Sequence, residues 1–402
     1  AGASEEPASV RGSHPAAQFV RSPMGSQGAR VQCCRLGEDW GGAGVHQSDW
    51  AKILGVCVNA ERLSMNGLGD TAALACAAPL GQLALKRVDF SSSRCGAEAW
   101  AAVFNALSEA GVEELSMAHE ALGDGADGAA AAIGSRLASM GGALQTADFS
   151  YNEKLPPEGW EAVLAGLAGG AVRELNVSDC ALDHSKALAL GPALAGLAPS
   201  LRVLDASYNR GLPGAAWEAL LASLAGGQVA ELRLKDCGLD EGAAAGLGRA
   251  LAPLRHSLRV VDLCKNEGLP PSGWGALLAG LAGGACEEVL VGGDCKWTDE
   301  HAAAVGPGLE GMRGGLRRLD LDSQTKLSPT GWRALLGGPA GGGLEVLQVR
   351  YCALDAGKAA AIGERLRGLR EGLRRFVFYD YANSARVDPE AWGALLGGLA
   401  SG

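Results

Sequence analysis

The residues able to do chemistry are few. Eleven cysteines, an odd count, occur in 402 residues. Four of them, Cys180, Cys237, Cys295 and Cys352, recur in near register, with Cys295 one residue late. Parallel strands lie about 4.8 Å apart, so thiols two repeats apart sit roughly 10 Å from each other. A disulfide needs Cα atoms within about 7 Å, and a shared metal needs closer approach still. These cysteines therefore read as buried thiols bonded to backbone, and the chain as one of a reducing compartment. Cys33 and Cys34 are adjacent but have no partners at zinc spacing. Six histidines fall in no nucleophile or metal motif. No phosphate loop ending in G-K-[ST] and no Rossmann glycine pattern occurs; GGPAGGG at 337–343 reads as helix end and turn. Carboxylates are plentiful, so a pair at catalytic distance is geometrically open, yet no enclosed pocket is expected around them. The expectation is a non-enzyme without cofactor or metal.

The elements that hold these residues repeat. Leu201–Gln228 opens with an apolar alternation, reaches Asn209, turns, and continues as a helix pattern from Trp217. The next stretch follows the same plan with Cys237 in the place of Asn209. One type opens at Leu85, Leu144, Leu201, Leu258, Leu316 and Leu373, the other at Val112, Val172, Val229, Cys286 and Leu344. Each repeat is thus 28 to 29 residues. Five or six residues alternate as a strand does. Pro, Gly, Asn and Asp then read as a turn, and Trp217, Leu220, Leu221 and Leu224 recur at helical spacing. One strand and one helix cannot bury their apolar faces alone, whereas stacked copies can. Strands then line an inner concave face and helices an outer convex face.

The pattern L-x-x-L-x-L-x-x-N/C-x-L resembles the leucine-rich repeat. Its alternation of Asn152, Asn209 and Asn266 with Cys180, Cys237, Cys295 and Cys352 is similar to the ribonuclease-inhibitor subfamily. The resemblance covers roughly 31–402. It implies an α/β right-handed solenoid, a horseshoe of about 12 repeats, and a family of inhibitors, sensors, GTPase activators and scaffolds. The LPPEGW turn at 155–160 departs from the usual pattern, as do LPPSGW at 269–274 and LSPTGW at 327–332. Arg94, Gln324 and Ala382 or Asn383 fall near the Asn position, so the ladder is expected to weaken toward both ends.

Residues 1–30 read as an irregular N-terminal extension, with the remainder of a cleaved transit peptide as the other reading. Residues 31–402 read as one repeat domain. The formal net charge of −10 argues against nucleic-acid binding. No apolar run is long enough to span a membrane. The expected setting is intracellular, cytoplasmic or an organelle lumen or stroma. Charged residues are 20%, below the usual 25% or so. Either Ala and Gly (61 glycines) displace charge, or a partner covers much of the surface.

On the concave face, Asp89, Asp148, Asp205, Asp262 and Asp320 interleave with Glu114, Glu174, Glu231 and Glu288 as an acidic band. Arg233 falls between Asp205 and Asp262 and is expected to pair with them. The band is either a repeat habit or a site for a basic protein. Beside it stand His119, Tyr151, Asp179, Tyr208, Asp236, Lys265, Tyr351 and Asp380. All five tyrosines, with Tyr379 and Tyr381, lie on or next to these strands, and tyrosine is favoured at protein interfaces. Trp100, Trp160, Trp217, Trp274, Trp332 and Trp392 each open a helix, which points to core packing with the indole N–H bonded to a turn carbonyl. The expected function is a non-catalytic protein–protein scaffold or accessory subunit of a larger assembly. Its contact residues would be Asp148, Tyr151, Glu174, Asp205, Tyr208, Glu231, Arg233 and Asp262. The other reading is an enzyme regulator, inhibitor or GTPase activator, using the recurring Arg202, Arg259, Arg317 and Arg374.

Overall fold

The computed structural model describes residues 9–11, 17–21, 31–36, 52–55, 57–119, 121–123, 128–140, 142–293, 295–339, 343–369, 371–379 and 389–400. The chain divides into two compact units, 1–181 with 192–201, and 182–191 with 202–402.

In the first unit, β1 (Ser9–Arg11) and β2 (Ala17–Arg21) are antiparallel, and β2 pairs antiparallel with β3 (Val31–Leu36). Residues 1–30 were expected to be irregular and contain these two strands. Ala17–Arg21 reads AQFVR, an alternation short enough to miss beside its Ser- and Gly-rich flanks. From β3 onward the pairings among the described residues of this unit are parallel: β4 (Arg62–Met65), β5 (Arg87–Asp89), β6 (Glu114–Ser116), β7 (Thr146–Asp148) and β8 (Glu174–Asn176). Helices Asp70–Leu80, Ala97–Leu107, Ala129–Met140 and Pro157–Ala165 follow strands β4 to β7.

The second unit carries β9 (Val203–Asp205), β10 (Glu231–Arg233), β11 (Val260–Asp262), β12 (Glu288–Leu290), β13 (Arg318–Asp320), β14 (Val346–Arg350) and β15 (Arg375–Tyr379). All pair in parallel, with Leu204, Leu232, Val261 and Val289 in one register line. The central residue of each three-residue strand is buried, and its two neighbours stand on the open face of the sheet. Each unit is therefore an α/β repeat solenoid of the leucine-rich-repeat kind. Most strands are shorter than the five or six residues expected, because their flanks leave the ladder for side-chain-bonded turns.

Those turns explain the Asn and Cys positions. Asn266 is buried; its Nδ2 donates to Leu234 O at 2.9 Å and Leu263 O at 2.9 Å, and its Oδ1 accepts from Cys237 N at 3.0 Å. Asn152 does the same with Met117 O, Phe149 O and Leu122 N. Cys180 Sγ donates to Phe149 O at 3.3 Å, and Cys352 Sγ to Leu321 O at 3.4 Å, as the buried-thiol reading requires. The ladder does not weaken at Gln324. Its Nε2 donates to Val291 O at 3.2 Å and its Oε1 accepts from Trp297 N at 2.7 Å. In an earlier repeat Ser93, not Arg94, fills the slot, accepting from Leu68 N at 3.0 Å. Ala382 and Asn383 lie outside the described residues.

Two further expectations change. The indole Nε1 atoms of Trp100, Trp160, Trp217, Trp274 and Trp332 are buried without a hydrogen-bond partner, as is that of Trp297. The rings belong to the core, but apolar and aromatic packing holds them; Trp274 meets Trp297 edge-on at 5.1 Å. Several glycines of the helices face neighbouring helices. A Cβ on Gly248 would meet Ala276 O at 2.5 Å, and one on Gly308 would meet Leu278 Cβ at 2.6 Å. Small residues there let adjoining helix backbones touch, so close packing of repeats accounts for these glycines.

Candidate functional site

The Asp row on the open face has a structural duty that sequence reasoning missed. Asp89, Asp148, Asp205 and Asp320 each accept through Oδ1 from the N–H two residues on, at 3.0 Å, and Asp262 at 2.9 Å. Asn176 makes the same bond to Ser178 N at 3.0 Å. Such a bond nucleates a turn. The residue three after each Asp then adopts left-handed backbone: Ser92, Tyr151, Tyr208, Lys265 and Ser323, with φ between 59° and 65°. His119, Asp179, Asp236 and Tyr351 occupy the same place in their repeats, also at positive φ. Asp380 and Tyr381 lie outside the described residues.

In the first unit, Asp148, Tyr151 and Glu174 stand on or beside the open face. A hollow of about 590 Å³ there is lined by Arg62, Ser64, Arg87, Glu114, Thr146 and Asp148, among others. Arg87 pairs with Glu114 at 2.9 Å, and Ser64 Oγ donates to the second oxygen of Asp89 at 2.9 Å. The face is thus of mixed charge. Arg62 and Arg87 were legible as the residue before the central strand position, had that position been followed through both repeat types. Tyr151 stacks on His119, ring centroids 4.4 Å apart.

In the second unit the charges are largely paired. Arg233 Nε lies 2.6 Å from Glu231, and its Nη1 3.8 Å from Asp205. Leu290 interrupts the Asp row. Arg318 reaches Glu288 at 3.3 Å, and Arg350 holds Asp322 at 2.6 Å. Burial pushes the Asp320 carboxyl above its usual range, and Gln348 Nε2 donates to it at 2.5 Å. The acidic band is therefore partly neutralised by its own arginines. Tyr208 carries Lys235 over its ring at 5.8 Å. A hydrogen bond with the Tyr208 hydroxyl raises the Lys235 pKa.

The arginines that recur at strand starts are tied down. Arg259 pairs with Glu287 at 3.4 Å, Arg317 and Arg374 both pair with Glu345, and Arg202 donates to Gln228 O at 3.3 Å. Burial pushes the Cys237 and Cys295 thiols up to about 12, which leaves them un-ionised at neutral pH. No helix among the described residues is long and apolar enough to cross a membrane.

Repeat length, parallel strands and the Asn/Cys turn ladder together define a leucine-rich-repeat fold. No protein-family model matches the sequence, and no curated protein matches it. Among solved structures, the chain is similar to the yeast Rad7 and Elc1 complex at 15% identity and a TM-score of 0.47, covering 85% of this chain and 75% of that one. It is also similar to the leucine-rich repeat-containing protein LegL7 from Legionella pneumophila, at 12% identity and a TM-score of 0.47, covering 74% and 93%. An internalin from Listeria monocytogenes follows at 14% identity and a TM-score of 0.43, covering 91% and 84%. These likenesses bear on no question of what the chain binds.

Proposed function

We propose that the chain is a non-catalytic protein-interaction scaffold or accessory subunit of a larger assembly, and that its open strand faces carry the contact. One observation carries this reading. Tyr151, Tyr208 and Tyr351 sit in left-handed backbone, which costs a bulky residue on the order of 1–3 kcal/mol. The fold does not demand it, since the same place holds Gly67, Ser92 and Gly293 in other repeats. Tyr151 and Tyr351 are 41% and 39% exposed, so core packing does not repay the strain. Large amphipathic rings held out on a rigid turn suit a protein partner.

The contributors are Asp148, Tyr151 and Glu174 in the first unit, and Asp205, Tyr208, Glu231, Arg233 and Asp262 in the second. Their residual negative charge favours a basic protein over a nucleic acid. The Asn/Cys alternation supports the ribonuclease-inhibitor-like type, and the buried thiols support a reducing compartment.

The test removes charge and keeps the turn. Asn176 already makes the turn bond of the Asp row, so Asp205→Asn with Asp262→Asn preserves the backbone. A partner is first isolated on the unaltered chain, then purified, and its affinity measured for both forms. About tenfold weaker binding is expected, within the range of paired interfacial charges. Unchanged affinity with an unchanged unfolding midpoint would refute the strand-face assignment.

A further inference from the structure

Three of the left-handed turn residues are tyrosines, and the following repeat sets a different residue against each. For Tyr208 it is Lys235, with Nζ 5.8 Å from the ring centroid. For Tyr351 it is Tyr379, edge-on at 5.7 Å. The equivalent place beside Tyr151 is Ser178, a buried residue too short to cover a ring. Tyr151 has His119 stacked against it at 4.4 Å, and 41% of the residue is exposed.

The surrounding charges differ in the same sense. Around Tyr208 stand Asp205, Lys235, Arg210 and Asp236, two cations against two anions, with Arg210 bonded to Asp236 at 2.7 Å. The equivalent positions around Tyr151 hold Asp148, Ser178, Glu153 and Asp179, with a neutral serine in the place of Lys235. The ring face that Lys235 fills in one repeat is thus left, in the other, to a residue that brings no charge. A cation within about 6 Å of an aromatic face is attracted by the ring quadrupole, and nearby carboxylates add to that attraction.

We propose that Tyr151, with Asp148 and Asp179, is a recognition slot for a lysine or arginine side chain of a protein partner. It is the place that Lys235 fills from within the chain beside Tyr208. His119 backs the ring, and the bond from Ser150 N to Asp148 Oδ1 at 3.0 Å fixes that carboxylate. The occupant's belonging to a protein rests on the function proposed above; the slot itself rests on the comparison of repeats.

The test uses Nα-acetyl-arginine amide and Nα-acetyl-lysine amide as probes, with Nα-acetyl-norleucine amide as the neutral control, read by saturation-transfer NMR on the full chain. Both cationic amides are expected to bind and the control is not. Ser178→Lys, which installs the tethered cation, should weaken binding about tenfold, and so should Tyr151→Leu. Lys235→Ser should open a second site and raise the saturating signal. Equal signals from the arginine and norleucine probes would overturn the slot. So would undiminished binding in both Ser178→Lys and Tyr151→Leu at unchanged unfolding midpoints. If the probes behave as expected while a purified partner ignores Tyr151→Leu, the assignment of the slot to that partner is overturned; the strand-face reading is judged separately by Asp205→Asn with Asp262→Asn.

Discussion

Gly248 tests whether glycine in these helices is compositional or required. It lies in helix Glu241–Leu251, against helix Pro271–Leu281 of the next repeat. A Cβ there would lie 2.5 Å from Ala276 O and 3.0 Å from Ala276 C, whereas ordinary contact begins at 3.4 Å. The helices would have to part by about 0.9 Å at that point, on the values for Ala276 O. Overpacking of this kind costs about 1–3 kcal/mol. Against it, alanine is the better helix former by about 1 kcal/mol. The clash wins, and Gly248→Ala should lose about 1 kcal/mol net on those two figures. Gly393 supplies the control: it lies inside helix Pro389–Ala400, and a Cβ there meets nothing within 4 Å. Gly393→Ala should therefore gain about 1 kcal/mol from propensity alone. Urea midpoints compared at equal slope separate the two variants. If both alanines raise the midpoint alike, the glycines are compositional and the packing argument is wrong.

Other outcomes follow from the same geometry. Trp217→Phe should cost far less than Trp217→Ala, which should lose about 3–5 kcal/mol, because the indole N–H has no partner to lose; urea unfolding of both variants decides it. Asn266→Ala would orphan Cys237 N–H and the carbonyls of Leu234 and Leu263. At about 1–3 kcal/mol for each orphan, it should destabilise by about 3 kcal/mol or more, and Asn266→Cys by less, since cysteine serves the same carbonyl in alternate repeats. The buried thiols of Cys76, Cys237, Cys286 and Cys295 are raised from 9.0 to about 12. In the unfolded chain they ionise near 9, so their contribution to stability is whole below pH 9 and lost as pH climbs toward 12. In reducing buffer the urea midpoint should fall across that window, and less steeply in Cys237→Ala; an identical slope would contradict the burial argument.

Much of the fold was legible because burial imposes a period. Leu204, Asn209, Trp217 and Leu220 recur wherever a repeat must pack on the next, and alternation placed Asp205 on the open face; Tyr208, three residues on, lies in a left-handed turn that a period of two does not read. Other features were hidden for specific reasons. The role of Asp205 in its turn is a bond to a backbone N–H two residues away, and backbone leaves no mark in a sequence pattern. Gln324 and Ser93 hold the ladder with different side-chain lengths, so the Asn pattern read Gln324 as a weakening and pointed to Arg94 in place of Ser93. Arg318 and Arg350 lie at positions the period predicts, but their pairing with Glu288 and Asp322 depends on rotamers chosen in three dimensions.

The sequence by itself determined the repeat length, the strand–turn–helix order, the buried faces and the absence of a recognisable reaction motif, since each follows from local periodicity and residue chemistry. Only the tertiary structure decided which charges are neutralised, which glycines are pressed against a neighbouring backbone, and which tyrosine carries a cation over its ring. Those outcomes depend on distances between residues about one repeat apart in the chain. A 28-residue period brings such residues to adjacent strands, and whether they meet depends on side-chain reach and backbone spacing.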